Sequence, residues 1–358
     1  MRLKSLQARN FRNLESVDLD TDARFVVFHG PNAQGKTNLL EAVYALSTLK
    51  SFRARRNSEL IRWGTDAAEV RGQVDDGVLE RDFRLVIDSS GRRGEVDGKP
   101  PRQLATYFEG IRAVLFRPED TEIVREGPEL RRRFIDRAAF TASATFLDRA
   151  MAFRRLLSQK AALLRQPPVD PVSLAVFDEQ LAQAGARVVE RRLRIVEELK
   201  QPFGELHERI SGHGEATLSY RTQLDPSRLA ESYLELLEQA RPDAIRRGMN
   251  LVGPQRDDLV LQLDKRPARA YASQGQTRSI VLALKLAELL AARARGARPL
   301  FLLDDLSSEL DRFRTGRLVE LLEELELQVL VTTTDPEVLL GAAQVRAFEV
   351  GAGAVLSR

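Results

Sequence analysis

Gly30-Pro31-Asn32-Ala33-Gln34-Gly35-Lys36-Thr37 stands between a compact apolar run at residues 24–29 and a stretch in which Leu39, Leu40, Val43, Tyr44 and Leu46 recur at helical spacing. A buried strand, a Gly-bearing turn and an amphipathic helix form the setting in which a G-x-x-x-x-G-K-[ST] octapeptide binds phosphate. That order points to an α/β fold of the P-loop ATPase type with the first strand buried. Gly30 and Gly35 permit the loop conformation and close backbone approach to an anion, and the free N–H groups at the helix start point at it. All eight residues are candidates for binding ATP. Lys36 would reach the β- and γ-phosphates, and the Thr37 hydroxyl would bind Mg²⁺.

Two further elements lie near the other end of the chain. Leu300-Phe301-Leu302-Leu303-Asp304-Asp305 reads as a buried strand ending in paired carboxylates. Adjacent acids repel one another unless a cation sits with them. Asp304 is the expected Mg²⁺ ligand, and Asp305 would orient or deprotonate an attacking water, so Asp304, Asp305 and Lys36 are the catalytic candidates. Ser273-Gln274-Gly275-Gln276 opens a helix. In isolation these residues read as an ordinary N-cap, but their placement about 27 residues before Asp304, with a helix between, favours Ser273, Gly275 and Gln276 as a second anion-binding device. One nucleotide needs only the loop and the paired acids, so a second anion site suggests that two chains share each nucleotide. Ser307-Ser308-Glu309-Leu310-Asp311 follows the acids, and Thr332-Thr333-Thr334-Asp335 ends the next apolar strand, where a γ-phosphate sensor would sit.

The chain of 358 residues is 43% apolar and 30% charged, with a net charge of +3. These are the proportions of a soluble globular protein, and the charge alone makes no case for nucleic acid. No apolar run is long enough to span a membrane and the N-terminus lacks a secretory signal, so cytoplasm is the expected location and no membrane partner is expected. The absence of Cys excludes disulfides, thiol catalysis and Cys-ligated zinc, and His29, His207 and His213 leave little for a multi-His metal site.

Strand and helix patterns fill residues 1–124 and 251–358, which together form one nucleotide-binding head. Residues 91–101 read as a hairpin loop. Residues 125–250 read as an inserted, mainly helical arm, a short antiparallel hairpin turned at Pro167-Pro168-Val169-Asp170-Pro171 with neither helix long. Basic clusters at Lys50, Arg53, Arg55 and Arg56, at Arg131, Arg132 and Arg133, at Arg154-Arg155 and at Arg191-Arg192 with Arg194 are candidate DNA contacts. Sparse aromatics make backbone-phosphate contact without base reading their natural use.

The motif order resembles the ATP-binding-cassette ATPases, above all the branch of the structural-maintenance-of-chromosomes proteins. Several stretches resemble one bacterial family, RecF. They are Leu6-Gln7-Ala8-Arg9-Asn10-Phe11-Arg12-Asn13, Phe116-Arg117-Pro118-Glu119-Asp120, Gly127-Pro128-Glu129-Leu130-Arg131-Arg132-Arg133-Phe134-Ile135-Asp136, Gly253-Pro254-Gln255-Arg256-Asp257-Asp258 and Ser273-Gln274-Gly275-Gln276-Thr277-Arg278. The resemblance implies a weak, DNA-dependent ATPase that dimerises on ATP and binds gapped DNA and single-strand/duplex junctions. It also implies partnership with RecR, and through it RecO and RecA, in recombinational repair and replication restart. Arg12 and Asn13 would lie near the nucleotide, and residues 273–276 would meet the γ-phosphate held by the other subunit. Glu119 and Asp120 stand where cassette ATPases carry a Gln that touches Mg²⁺ and water. The competing function is the nucleotide-binding subunit of a membrane transporter, which the inserted arm disfavours.

Overall fold

The computed structural model describes residues 1–166, 168–306, 312–339 and 342–357. The N-terminal part runs β1 (Arg2–Phe11), β2 (Leu14–Asp20), β3 (Phe25–His29), α1 (Lys36–Thr48), β4 (Ala67–Asp75), β5 (Glu80–Asp88), β6 (Gly91–Val96), α2 (Leu104–Gly110) and β7 (Ala113–Phe116). The middle runs α3 (Glu122–Arg125), α4 (Pro128–Ala142), α5 (Phe146–Leu164), α6 (Pro171–Ser211), β8 (Ala216–Arg221) and α7 (Leu229–Arg247). The C-terminal part runs β9 (Asp258–Leu263), β10 (Arg266–Pro267), α8 (Ala268–Tyr271), α9 (Gln274–Ala294), β11 (Leu300–Leu303), α10 (Arg312–Glu324), β12 (Val329–Thr333), β13 (Val345–Gly351) and β14 (Ala354–Ser357).

β3 is apolar from Phe25 to Phe28 because it is covered on both faces. Phe25 and Val27 enter one core with α4, α6 and α9, while Val26 and Phe28 enter the other with α1 and the N-terminal sheet. It lies inside a six-stranded sheet of order β14-β13-β3-β12-β11-β7, in which every pairing but that of the edge strand β14 is parallel. The sheet thus takes β3 and β7 from one end of the chain and β11 to β14 from the other. This register brings the C-terminal ends of β3, β11 and β12 side by side, the usual place for a ligand in an open α/β sheet. A second, antiparallel sheet of order β2-β1-β4-β5-β6 covers α1. Buried Gln328 ties the two sheets together, accepting from Leu3 N at 2.6 Å and donating to the carbonyls of Leu3, Thr21 and Ala23 at 3.1, 2.8 and 3.0 Å.

Two expectations need correction. Residues 91–96 are not loop but the edge strand β6, paired antiparallel with β5. Gly94 is required there, since a Cβ would meet Leu49 Cδ2 and Tyr107 Cε2 at 2.9 Å each. The helix after the Pro-rich turn is not short: α6 has 41 residues and spans roughly 60 Å. Its apolar stripe continues past Leu199 through Phe203, Leu206 and Ile210, and the helix carries Pro202 in its interior. Residues 125–250 also contain a strand, β8, which pairs with β9. The segment therefore divides physically. α4, β8 and much of α6 belong to the core beneath α9. α5, the first half of α6 and α7 are joined by a buried triad in which Lys160 and Arg241 both hold Asp178, Arg241 Nη2 at 3.0 Å.

Candidate nucleotide site

The turn after β3 is built for close approach. Gly30 has φ +139°, and a Cβ there would meet Val350 O at 2.5 Å. Gly35 has φ +112°, and a Cβ would press on the Asn13 side-chain amide at 2.9 Å. Both positions are in a region that favours glycine. The Asn13 amide is fixed in turn, receiving Asn38 Nδ2 at 2.6 Å and donating to Gln34 O at 3.3 Å. Gln34 Oε1 accepts from Ala352 N at 2.6 Å, so the hairpin between β13 and β14 braces the loop from the far end of the chain.

Lys36 is 8% exposed and curls back on the loop, donating to Gly30 O at 2.6 Å and Pro31 O at 2.8 Å. Burial lowers its pKa, and Asp305 and Asp304 oppose that shift. Thr37 Oγ1 donates to Asp304 Oδ1 at 2.9 Å, and Thr332 Oγ1 donates to the same oxygen at 2.8 Å. The backbone N–H of Asp305 donates to Thr332 Oγ1 at 2.8 Å. Burial pushes the Asp304 carboxyl above its ordinary value; the two hydroxyls and Arg53 pull it down, and the neighbouring Asp305 raises it further. Asp305 itself adopts φ +55°, a left-handed turn that Asp and Asn tolerate best after Gly, at the very end of β11. A cavity of about 300 Å³ is lined by Asn32, Ala33, Gly35, Lys36, Thr37, Asn38, Arg53, Asp305 and Thr332. Residues of the octapeptide, Asp305 and the first Thr of the 332–334 run, nearly 300 residues apart in sequence, thus enclose one space, and Asp304 is bonded to Thr37 and Thr332 on its wall.

An outer cavity of about 780 Å³ adjoins it through Asn38 and Arg53 and reaches Arg12, Asn13, Ile61, Arg62 and Trp63. Glu41, absent from the sequence expectations, organises the wall between the two cavities. It is fully buried one turn after Thr37 and accepts from Arg12 Nε at 2.9 Å, Arg12 Nη2 at 2.8 Å, Ser51 Oγ at 2.5 Å and Arg53 Nη2 at 2.7 Å. Burial opposes ionisation of Glu41, but these donors prevail and hold its pKa below the usual value. A Glu at i+4 from the Thr, on the face that meets the core, was the only sequence signal for it.

Other expected residues lie elsewhere. Ser273, Gly275 and Gln276 do not line the cavity. Within the single chain Ser273 is an N-cap, its Oγ accepting from Gln276 N at 3.2 Å while Gln276 Oε1 accepts from Ser273 N at 2.8 Å. Asp120 is not available to touch a metal or water, because it is buried and paired with Lys285 Nζ of α9 at 2.7 Å. Glu119 is 58% exposed beside Arg117. Arg131 is not a DNA contact: it is buried, with Nε and Nη2 on Asp258 at 2.7 and 3.1 Å. Arg132 donates to Asp257 O at 2.8 Å, and Arg133 is exposed in a pair with Glu129. The 253–258 stretch, like Arg131, is structural, since a Cβ on Gly253 would strike the Tyr233 hydroxyl at 2.1 Å. Arg53, although exposed like Lys50, Arg55 and Arg56, turns toward Glu41 and Asn38 at the nucleotide cavity. The Ser307 to Asp311 motif lies outside the described residues.

Comparison with known proteins identifies a family and a fold. The family model RecF/RecN/SMC N terminal domain matches residues 2–353. The DNA replication and repair protein RecF of Geobacter sp. (strain M21) is 41% identical over 341 residues, covering 93% of each chain. That of Anaeromyxobacter sp. (strain Fw109-5) is 44% identical over 354 residues, covering 96% of this chain and 95% of the other. Among solved structures, the recombination mediator protein RecF with ATP, of the RecFOR pathway, superposes with a TM-score of 0.89 at 29% identity, covering all of this chain and 97% of that one. An Smc head bound to the C-winged helix domain of ScpA shares the fold, with a TM-score of 0.58 at 15% identity, covering all of this chain and 98% of that one. The α/β architecture is thus that of an ABC-type ATPase head carrying a helical insert.

Proposed function

This chain belongs to the RecF family of DNA replication and repair proteins, and from that premise we propose that it is an ATP-gated DNA-binding switch. The observation that carries the reading is the convergence of Lys36, Thr37, Asp305 and Thr332 on one cavity of about 300 Å³, with Asp304 bonded to two of them. ATP lays its β- and γ-phosphates along residues 30–37, where loop N–H groups and Lys36 neutralise them. Its sugar and base extend past Arg12 and Asn13 into the outer cavity, toward the exposed Trp63. The Thr37 hydroxyl and Asp304 are hard oxygen donors 2.9 Å apart, a set that fits Mg²⁺. Mg²⁺ held there would neutralise charge developing on the transferred phosphoryl group.

The residues divide the remaining work. Asp305 orients the attacking water and accepts its proton, and Thr332 holds both acids in place through its Oγ1. A shorter carboxylate than Glu reaches less far, which supports slow hydrolysis used as a timer. Ser273, Gly275 and Gln276 lie outside the cavity of their own chain, and the exposure of Ser273 supports a role on the γ-phosphate held by a second copy. ATP then closes two heads, built from residues 1–124 and 251–358, on gapped DNA or a single-strand/duplex junction. Hydrolysis opens them. Lys50, Arg55 and Arg56, with Arg53 at their edge, offer exposed charge for backbone phosphates. RecR, and through it RecO and RecA, are the partners the family reading supplies, with the helical insert at 125–250 as the arm. The cytoplasm is the setting this reading implies. The transporter-subunit alternative finds no support in relatives that are RecF over nearly their full length.

Asp305→Asn is the direct test. Asn keeps the left-handed backbone and the shape but accepts no proton, so ATP and Mg²⁺ should still bind while turnover falls roughly 10²-fold or more. In a gel shift on gapped DNA the variant should hold its ATP-dependent complex far longer than wild type. Wild-type turnover in the variant would show that the water is handled by another group.

A further inference from the structure

Arg131, Arg191 and Arg192 are the buried arginines among the described residues. Two of them turn the same edge of the guanidinium, Nε with Nη2, onto a carboxylate: Arg131 onto Asp258 at 2.7 and 3.1 Å, and Arg192 onto Asp136 at 2.8 and 3.0 Å. Arg191, next to Arg192 on α6, does not. It is 6% exposed, and its Nε and Nη2 are enclosed with no hydrogen-bond partner. An uncompensated buried guanidinium is strongly unfavourable, because desolvation is not offset by pairing.

Its surroundings deepen the deficit. Burial lowers the Arg191 pKa, Arg295, Arg194 and Arg149 lower it further, and Glu198 alone opposes them. The nearby carboxylates are already engaged. Glu198 accepts from Arg295 Nε at 3.0 Å, and Glu190 accepts from Arg194 Nη2 at 3.0 Å. Four guanidiniums therefore face two carboxylates where α5, α6 and the end of α9 meet. Arg295 caps α9 at the end opposite Ser273, roughly 30 Å along the helix, so the cluster is separate from the nucleotide site.

We propose that Arg191, with Arg149, Arg194 and Arg295 around it, is a phosphate-binding site for a nucleic-acid backbone. The enclosed charge of Arg191 stands behind the exposed Arg149, Arg194 and Arg295, whose guanidiniums meet neighbouring phosphates of a polyanion and so offset that charge. The choice of nucleic acid over free phosphate rests on the DNA-binding reading above.

The test uses the full chain, a labelled gapped duplex, inorganic phosphate and a poly-glutamate peptide. Arg191→Met should weaken DNA binding at least fivefold and flatten the log-log salt slope by about one unit, with ATP affinity unchanged. Its Tm should stay level or rise, since a buried unpaired charge has been removed, whereas loss of a structural arginine would lower it. Exposed Arg149→Gln should weaken DNA binding without moving Tm. DNA affinity equal to wild type in both variants would overturn the site while leaving the DNA reading intact. Failure of wild type to bind the duplex would overturn both. If inorganic phosphate stabilises wild type but not Arg191→Met while DNA affinity is unaffected, the occupant is a free anion and the nucleic-acid assignment falls. Loss of binding to the peptide alone would assign the cluster to an acidic protein and overturn the proposal.

Discussion

Replacing Lys36 by Met should abolish ATP binding at ordinary concentrations. The ammonium sits where the loop closes, and it already satisfies the carbonyls of Gly30 and Pro31. With ATP present those protons turn to the β- and γ-phosphate oxygens. Hydrogen bonds to charged groups contribute about 1.5–3 kcal/mol each, so losing two costs about 3 kcal/mol or more, roughly a hundredfold in affinity. Met fills the space of the stem but donates nothing. The fold should survive, because removing a buried ammonium relieves desolvation as it deletes the two loop bonds. Equilibrium binding of labelled ATP and a thermal melt check both halves. Normal ATP affinity in a folded variant would remove residues 30–37 from the nucleotide site.

Ser273→Arg should separate nucleotide binding from assembly. Ser273 lies outside the cavity that Lys36 and Asp305 line, so a single chain should bind ATP within about twofold of wild type. The bulky side chain blocks the start of α9, and the Oγ that caps Gln276 N is lost. Loss of the cap alone should cost about 1 kcal/mol and lower Tm by a few degrees. The larger effect should be on the dimer, whose association with ATP should weaken beyond detection at micromolar protein. A variant that still dimerises with ATP would leave Ser273 as an N-cap and nothing more.

The parts of the molecule that the sequence announces are those whose cause is local. β3 reads as a buried strand because both of its faces enter a core, and the octapeptide after it carries its own Gly positions. Asp304 and Asp305 mark the end of β11 because two adjacent carboxylates interrupt the apolar run at residues 300–303. The features that escaped depend on distant partners. Asp120 looks like a free acid in a turn until Lys285, 165 residues later, is brought against it. Arg131 reads as part of a basic surface run, and only the return of the chain at Asp258 buries it. β6 carries Arg92 and Arg93 and two glycines, a loop composition, yet edge pairing with β5 and the packing at Gly94 decide its structure. Pro202 suggests a helix end, but the stripe on either side of it packs on the head and carries α6 through. Glu41 was invisible for a related reason: its four donors come from Arg12, Ser51 and Arg53, which no helical periodicity connects.

The central claim is that ATP, rather than ADP, joins two copies of this chain across the nucleotide and so governs DNA binding. Sedimentation of the wild-type protein with ATP, with ADP and without nucleotide, each with and without gapped DNA, tests it most directly. The account predicts a monomer without nucleotide and with ADP, a dimer with ATP, and a stable DNA-bound dimer only when ATP is present. The same sedimentation profile with ATP and with ADP, or a monomer that binds gapped DNA equally well in all three states, would contradict it.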